Sequence, residues 1–387
     1  MAQAKISTRG AKRIRKGHLW VYRSDVREVH EAEGGAIVSV VDEAGNFVGQ
    51  AFYSDASEIS LRFLTISNET IDREWWRSRL RQCGQRRAGI AQETDAYRLV
   101  YSEGDLLPSL IVDVYAGIMV MQNLSQGSEQ AKGDLAELLV EEFGPRGIVE
   151  RNDARVRELE GLELKSGVLF GDKPEEIEIR QHGVRFVVSP LGGQKTGAFL
   201  DQRENYLAAK RVVFGRALDC FTFNGGFALH LAPACDSVLG IDISAEAIAG
   251  AQRNASLNDA GNVEFRAANV FDALREMEGA GERFDTIVLD PPAFAKNRAS
   301  IKSAVRGYKE INLRALKLLN PGGVLITCTC SYHLSEELFV EIIADAALDA
   351  HRRLQIIEKR GQSTDHPVLL GVPETHYLQC VIARVIE

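Results

Sequence analysis

The sequence predicts an α/β protein whose C-terminal half is a doubly wound parallel sheet, preceded by a small β-barrel and a small α+β domain. Three observations support this prediction. Apolar and polar residues alternate between turn residues over about the first 70 positions, helical and strand-like segments are mixed as far as about position 189, and from Arg216 onward buried strands alternate with helices. We therefore divide the 387-residue chain into residues 1–70, 71–189 and 190–387.

The predicted β-barrel begins with a basic run, AKISTRGAKRIRKGHLWVYRSDVREV, in which Trp20 and Tyr22 lie among eight lysine and arginine residues. Cationic groups neutralise phosphates and aromatic rings stack on bases, so the run indicates a contact with nucleic acid, with Lys12 and Arg13 as candidate substrate-binding residues. A solvated surface over two core aromatic residues explains the same pattern about equally well. The strands are expected in GGAIVSVVDEAGNFVGQAFYSDASEISLRFLT.

The predicted middle domain opens with a helix in IDREWWRSRLRQCGQRRAGI, capped by Asp72, and a second helix is expected from about Ser128 to Phe143. Strands are expected in YRLVYSEGDLLPSLIVDVYAGIMVMQ and in IEIRQHGVRFVVS. The domain shows no catalytic signature, so we interpret it as a spacer domain, and its first helix carries a second basic patch that we expect to help bind nucleic acid. That patch consists of Arg77, Arg79, Arg81, Arg86 and Arg87.

The composition excludes several classes of protein. A net charge of -8 argues against a protein that coats nucleic acid non-specifically, although it permits a local basic face. The six cysteines include no C-x-x-C pair, so we expect neither a disulfide framework nor a metal site. No segment approaches the roughly 20 apolar residues of a membrane span, and no signal peptide is evident. We expect a cytoplasmic protein.

In the last domain, ligand chemistry is expected at the carboxyl ends of the strands, at the switch point in strand order. The first turn, DCFTFNGGF, lacks the G-x-G-x-x-G spacing of a dinucleotide site, and no P-loop sequence occurs, which disfavours NAD and nucleoside triphosphates. Gly225 and Gly226 instead allow the backbone to approach a smaller polar group, such as the amino acid end of S-adenosylmethionine. Asp242 ends the next strand, where its carboxylate can accept from both hydroxyls of a ribose.

Four motifs carry a resemblance to a known family: GQKTGAFLDQREN, LDCFTFNGGFALHLA, DPPAFAKNR and TCTCS. They are similar to motifs of the bacterial large-subunit ribosomal RNA methyltransferase I family, and the resemblance covers the whole chain. It implies an N-terminal PUA domain, which is an RNA-binding β-barrel, then a small α+β domain and a Rossmann-like class I methyltransferase domain.

The same resemblance implies that a methyl group is transferred from S-adenosylmethionine to C5 of a cytosine in large-subunit ribosomal RNA, and it is compatible with a homodimer. It also matches a set of residues to positions that line the cofactor in similar enzymes: Phe221, Asn224, Gly225, Asp242, Asn269 and Asp290. We add Gln202, Asp219, Gly226, Ile243 and Val270 to the predicted cofactor-binding residues.

Cytosine C5 chemistry gives a reason for the two cysteines in VLITCTCSYHLS. C5 is a poor nucleophile toward a sulfonium methyl group, and a thiolate that adds to C6 makes the ring nucleophilic at C5. Cys328 and Cys330 point to the same face of the predicted strand, but Cys330 is one pleat closer to its carboxyl end. We therefore predict that Cys330 is the nucleophile and that Cys328 is a core residue.

Asp290, in the Asp-Pro-Pro turn, is the second candidate catalytic residue. Its carboxyl group can bind the N3 or N4 edge of the cytosine during attack at C6, or it can orient the cofactor. Pro292 and Phe294 are candidate substrate-binding residues. The prolines stiffen the turn, and the phenylalanine ring can stack on an extruded base, although an aromatic residue there is as often simple packing.

Two other functions are compatible with these residues. A methyltransferase of the same fold that acts on guanine N7 or on an exocyclic amine would share the Asp-Pro-Pro turn and would make Cys330 incidental. A non-catalytic RNA-binding factor of ribosome assembly would keep only a vestigial cofactor pocket, and the intact pocket residues argue against it.

Overall fold

A computed structural model of the chain describes residues 2–192, 198–295 and 298–386. Residues 193–197 of the motif GQKTGAFLDQREN and residues 296–297 of DPPAFAKNR lie outside the described residues. The chain forms two compact units. The first consists of Met1–His182, Val188–Leu200 and Asp365–Thr375, and the second consists of Gly183–Val187, Asp201–Thr364 and His376–Glu387.

The first unit begins with a six-stranded sheet in the order β2-β6-β5-β4-β1-β3. Its strands are β1 (Gln3–Ile6), β2 (Trp20–Tyr22), β3 (Val26–His30), β4 (Ile37–Val41), β5 (Phe47–Tyr53) and β6 (Ile59–Thr65). Along β4, Val38 and Val40 are buried while their neighbours are only half-buried, which is the period of two that the sequence predicted. One helix, α1 (Thr8–Arg15), was not predicted, and it takes up much of the basic run.

A five-stranded sheet in the order β11-β10-β9-β8-β7 follows in the same unit. Its strands are β7 (Ala96–Tyr101), β8 (Leu110–Tyr115), β9 (Ile118–Asn123), β10 (Gly147–Asn152) and β11 (Lys165–Gly171), and its helices are α2 (Arg73–Arg87), α3 (Ile90–Glu93), α4 (Gln126–Gln130) and α5 (Lys132–Phe143). The predicted cap of α2 is present, because the Trp75 backbone N donates to Asp72 Oδ1 at 2.9 Å. The chain continues into a two-stranded sheet of β12 (Ile177–Gln181) and β13 (Val184–Val188).

The segment Asp365–Thr375, which the sequence-based division placed in the last domain, belongs to the first unit. It is tied down at both ends. The Arg98 backbone N donates to Asp365 Oδ2 at 2.9 Å, and Arg87 Nη2 donates to the Asp365 carbonyl at 2.8 Å. At the other end, the Tyr101 hydroxyl donates to the Thr375 carbonyl at 2.9 Å. A short segment from near the C-terminal end of the chain is therefore part of the first unit. No pattern in the sequence indicates this.

The second unit is built on a seven-stranded sheet in the order β16-β15-β14-β17-β18-β20-β19. Its strands are β14 (Arg216–Cys220), β15 (Ser237–Asp242), β16 (Val263–Ala267), β17 (Phe284–Leu289), β18 (Leu319–Thr329), β19 (Leu354–Arg360) and β20 (Gln379–Val385). Strands β14 to β18 pair in parallel, and β20 is antiparallel to both of its neighbours. The switch point in strand order lies between β14 and β17, as a doubly wound sheet requires.

Helices cover both faces of this sheet, as the alternation of strands and helices predicted. They are α6 (Arg203–Lys210), α7 (Gly226–Leu231), α8 (Ala245–Leu257), α9 (Val270–Gly279), α10 (Ile301–Leu318) and α11 (Glu336–Asp349). Leu325 of β18 packs in the core under α9, α10 and α11, whereas Val324 and Ile326 pack in the core under α6 and α7. Among the described residues, no helix has the length and apolar character to cross a membrane.

Candidate active site

The turn after β14 holds a buried carboxyl group beside the start of α7. Asp219 Oδ2 accepts hydrogen bonds from Thr222 Oγ1 at 2.6 Å and from the Ala228 backbone N at 2.9 Å, while Oδ1 accepts none from any described residue. Burial raises the pKa of Asp219 to about 7, although those two hydrogen bonds lower it. A buried acceptor without a partner at the end of a strand fits a donor group on a ligand.

The backbone of this turn is strained. Phe221 and Phe223 adopt φ values of +64° and +50°, in the left-handed region that residues other than glycine rarely occupy. Gly225 follows at φ +88° and is the N-cap of α7. Gly226 has a packing reason to be glycine, since a Cβ there would lie 2.5 Å from Tyr206 Oη. Such a turn presents backbone groups to a ligand at close range.

Asp242, at the end of β15, is oriented by backbone donors. Its Oδ2 accepts from the Phe223 N at 3.0 Å and its Oδ1 accepts from the Ser244 N at 2.9 Å. Each carboxylate oxygen can accept a second hydrogen bond, so the group keeps capacity for two ribose hydroxyls. Ile243 is 73% exposed and offers an apolar side chain beside that carboxylate.

Asn224, Asn269 and Val270 complete the predicted cofactor set in the second unit. Asn224 is half-buried, and its carbonyl accepts from Asn254 Nδ2 at 3.0 Å. Asn269 caps α9 by accepting from the Phe271 backbone N at 2.9 Å. The Val270 side chain is buried in the core, so only its backbone can face a ligand. These residues lie at the ends of β14, β15 and β16, as the sequence predicted.

Gln202, a predicted cofactor-binding residue, forms hydrogen bonds with Asp290 and Asn205. Its Nε2 donates to Asp290 Oδ1 at 2.8 Å, and its Oε1 accepts from Asn205 Nδ2 at 2.7 Å. Arg360 Nε donates to Asn205 Oδ1 at 2.9 Å, which fixes the orientation of that amide. Both ends of the Gln202 amide are thus engaged within the chain, and the contacts favour a role in holding Asp290 rather than the cofactor.

The two cysteines of TCTCS differ sharply in their surroundings. Cys328 is fully buried opposite Cys380 of β20, and burial raises its pKa well above the ordinary value. Cys330 lies just past the end of β18, is half-buried, and donates to the Pro291 carbonyl at 4.0 Å. Cys330 therefore stands beside the loop that carries Asp290. A thiol at the edge of the sheet can reach a substrate, whereas one in the core cannot.

The ring of Phe294 packs against other aromatic residues. Its centroid lies 4.7 Å from that of Tyr308, 6.0 Å from that of Phe271 and 6.4 Å from that of Phe221. These contacts match the packing interpretation, and stacking of Phe294 on a base remains a prediction. Pro292 is exposed at the same loop.

Two side-chain networks near the site are not predictable from the sequence patterns above. One is the relay from Arg360 through Asn205 and Gln202 to Asp290, although the motif GAFLDQREN signalled that these positions are special. The other centres on Tyr308, whose hydroxyl contacts residues on both sides of Cys330. Tyr308 lies in a helix with no motif, so no signal in the sequence marks it.

The basic run of the first unit is partly neutralised. Arg15 pairs with Asp42 at 2.7 Å, and the Arg13 guanidinium lies 4.7 Å from the centre of the Tyr22 ring. Lys12 and Lys16 are exposed, and neither forms an ion pair with a residue in the described ranges. Arg9 and Arg15 are also exposed but pair with Asp25 and Asp42, so the exposed cations of α1 and its C-cap without an ion pair to a described residue are Lys12 and Lys16.

The second basic patch is not an open cationic surface, contrary to our expectation. Arg77 and Arg81 pair with glutamates of α5, at 2.5 Å from Glu141 and 2.6 Å from Glu142 respectively. Arg86 and Arg87 both pair with buried Asp105, and Arg79 lies over the ring of Trp75. The sequence showed the arginines of one helix but not the acids that another helix places against them.

Two family models match the chain. A PUA-like domain matches residues 4–66 and a methyltransferase domain matches residues 215–365. The ribosomal RNA large subunit methyltransferase I of Klebsiella pneumoniae (strain 342) is 40% identical over 383 residues, which cover 97% of this chain and 96% of that protein. The protein of the same name from Enterobacter sp. (strain 638) is 39% identical and is covered to 97% on both sides.

The chain belongs to the ribosomal RNA large subunit methyltransferase I family. Solved structures share its fold over the full length. A methyltransferase complexed with SAH superposes with a TM-score of 0.86 at 18% identity, and a SAM-dependent methyltransferase from Streptococcus mutans does so with 0.84 at 18%, each covering 100% of both chains. The predicted PUA-like and Rossmann-like methyltransferase architecture is confirmed.

Proposed function

We propose that this methyltransferase modifies C5 of a cytosine in large-subunit ribosomal RNA, using S-adenosylmethionine and a covalent bond between Cys330 and C6. The observation that carries the proposal is the position of Cys330, half-buried past the end of β18 and 4.0 Å from the Pro291 carbonyl. Membership of the family supports ribosomal RNA as the substrate. Guanine N7 or exocyclic amines would need no cysteine at this point.

The residues at the ends of β14 and β15 fit S-adenosylmethionine. Asp219 Oδ1, which accepts no hydrogen bond from any residue that the structure describes, suits an N–H donor, and Asp242 retains acceptor capacity for ribose hydroxyls. Ile243 supplies an exposed apolar contact for a purine. When bound, the cofactor supplies an electrophilic methyl group on sulfur.

The chain's own residues would then carry the chemistry on the base. The Cys330 thiolate forms a bond to C6, and the electron pair displaced from the C5–C6 double bond makes C5 nucleophilic toward the methyl group. Loss of the C5 proton returns the electron pair, which breaks the bond to sulfur and restores the ring. Asp290 would bind the N3 or N4 edge and stabilise charge that develops during attack, a role supported by the hydrogen bond from Gln202 that orients its carboxylate.

The target base must leave its stack, because thiol and methyl group approach C6 and C5 from outside the ring plane. We propose that the PUA-like domain binds RNA through exposed Lys12 of α1 and exposed Lys16, which caps the end of that helix, with Arg13 as a further contact. A homodimer also remains a prediction, and light scattering at several protein concentrations tests it.

Methylation of ribosomal RNA in vitro tests the proposal. The wild-type enzyme should place its label on 5-methylcytidine after digestion to nucleosides, and Cys330→Ala should lose at least about a thousandfold in rate. Cys328→Ala is the matched control and should retain most activity. A labelled guanosine, or methylation by Cys330→Ala at the wild-type rate, would contradict the proposal and favour a methyltransferase of another specificity.

A further inference from the structure

The hydroxyl group of Tyr308 is a buried junction close to Cys330. Thr329 Oγ1 donates to Tyr308 Oη at 2.7 Å, and Tyr308 Oη lies 3.0 Å from Ser331 Oγ. Tyr308, Thr329 and Ser331 are all buried, with relative exposures of 0%, 0% and 1%. Thr329 and Ser331 are the two residues that flank Cys330 in the chain. The junction therefore grips the backbone on both sides of the proposed nucleophile.

The same junction reaches the loop after β17. The Ala295 backbone N donates to Ser331 Oγ at 3.2 Å, and the ring centroid of Phe294 lies 4.7 Å from that of Tyr308. Only Ala293 separates Phe294 and Ala295 from the Asp-Pro-Pro turn that carries Asp290. The Ser331 hydroxyl and the Tyr308 ring thus link the end of β18 to the Asp290 loop.

The directions of these hydrogen bonds form a consistent set. The Ser331 backbone N donates to Thr329 Oγ1 at 3.1 Å, so the Thr329 hydroxyl proton is available for Tyr308. Because Tyr308 Oη accepts the hydrogen bond from Thr329, its own hydroxyl proton is available to donate to Ser331 Oγ. Buried hydroxyl groups that are satisfied in this way hold a single geometry, because breaking any one bond leaves a partner without water.

We propose that Tyr308 is a positioning residue, which sets the location of Cys330 relative to Asp290 through Thr329, Ser331 and the Phe294–Ala295 segment. The inference rests on the proposed function, in which Cys330 attacks C6 while Asp290 binds the base edge. A displacement of about 1 Å in such a pair costs on the order of a hundredfold in rate. Tyr308 itself does not touch the reacting atoms and acts only through its neighbours.

Tyr308→Phe tests this role, because it removes the hydroxyl and keeps the ring contacts with Phe294 and Phe339. Thr286→Val is the matched control. Thr286 is also fully buried, and its hydroxyl donates to the Phe214 carbonyl at 3.0 Å, near the amino end of β17 rather than its carboxyl end. Both variants lose one buried hydroxyl, so both should lose comparable stability.

Two rates should be measured for each protein. The first is covalent trapping on RNA that carries 5-fluorocytosine, which should fall about 10- to 100-fold in Tyr308→Phe with unchanged cofactor affinity. The second is alkylation by iodoacetamide, mapped by mass spectrometry to Cys330 and to Cys328. Release of the residues around Cys330 should raise the Cys330 rate at least about threefold, while buried Cys328 reports any general opening of the unit.

Slower trapping together with a raised ratio of Cys330 to Cys328 alkylation, in Tyr308→Phe but not in Thr286→Val, is the expected result. Trapping and alkylation at wild-type values in Tyr308→Phe would overturn the inference, and so would equal changes in both variants. If the wild-type enzyme forms no adduct at all, the proposed function fails instead. The alkylation ratio then still decides whether Tyr308 holds Cys330.

Discussion

The two sides of the candidate site are built from different groups. On the cofactor side, the carboxylates of Asp219 and Asp242 accept mainly from backbone N–H groups, those of Ala228, Phe223 and Ser244. On the cysteine side, side chains bind one another: Gln202 donates to Asp290, and Tyr308 contacts Thr329 and Ser331, which flank Cys330. We therefore expect a substitution on the cofactor side to change the affinity for S-adenosylmethionine, and one on the cysteine side to change the rate of methyl transfer.

The largest expected effect is a pH-dependent change in the free energy of unfolding, caused by Asp219 on the cofactor side. Burial raises the pKa of Asp219 from 3.8 to about 7, so the folded state binds this proton more tightly than the unfolded chain. Its contribution to stability is therefore complete below about pH 4 and is lost as pH rises through about 7, a change of roughly 2–4 kcal/mol.

Urea unfolding at pH 5 and pH 8 measures this change, with Asp219→Asn as the comparison. The wild-type protein should lose more stability than Asp219→Asn between the two pH values. An identical pH dependence in the two proteins would show that the Asp219 carboxyl does not titrate in this range.

The next effect is a loss of cofactor affinity at Asp242, on the cofactor side. Asp242→Ala should weaken S-adenosylmethionine binding by about 1–3 kcal/mol, because a charged acceptor for the ribose is lost. Calorimetry on the apoprotein measures it. Asp272→Ala, which removes an exposed carboxylate on the neighbouring helix α9, is the control and should bind as the wild type does. Unchanged affinity in Asp242→Ala would remove this residue from the cofactor side.

A substitution at Gln202 tests whether this residue belongs to the cysteine side or to the cofactor side. Since its amide holds Asp290, Gln202→Ala should slow methyl transfer about tenfold at saturating cofactor and leave the cofactor dissociation constant unchanged. Single-turnover rates and calorimetry together measure both quantities. A weakened cofactor affinity with a normal rate at saturation would support the cofactor-binding role that we predicted for Gln202 from the sequence.

The smallest effect concerns RNA affinity in the first unit. Its two basic helices, α1 and α2, differ in how far their cations are paired with acidic residues. Lys12→Ala combined with Lys16→Ala should reduce the slope of log affinity for RNA against log salt by about 1 to 2. Arg77→Ala combined with Arg81→Ala should leave that slope nearly unchanged, because these arginines already pair with Glu141 and Glu142. Filter binding at several salt concentrations distinguishes the pairs, and equal slopes would mean that α1 is not the grip.

Sequence reasoning reached the fold and the strand ends because both depend on local patterns. The period of two in β4, the Asp72 cap of α2 and the Gly225 turn are readable from neighbouring residues. It failed where partners lie far apart in the chain. Gln202 and Asp290 are separated by 88 positions and Tyr308 and Ser331 by 23, so only the folded chain brings them together.

The same limit explains the errors in the first unit. The acids of α5 that neutralise Arg77 and Arg81 lie more than 60 positions away, and the segment Asp365–Thr375 joins the first unit from the far end of the chain. Helix α1 was missed because its apolar positions, Ala11 and Ile14, are too few to show a helical period against so many charges.

The most direct test of the central claim is the covalent adduct itself. RNA that carries 5-fluorocytosine at the target should become trapped on the enzyme, because fluorine at C5 cannot leave as a proton and the bond from C6 to sulfur then persists. The adduct should require S-adenosylmethionine, should form in Cys328→Ala, and should map to Cys330 by mass spectrometry of the crosslinked peptide. An adduct on Cys328, or methylation at the full rate by Cys330→Ala, would contradict the account.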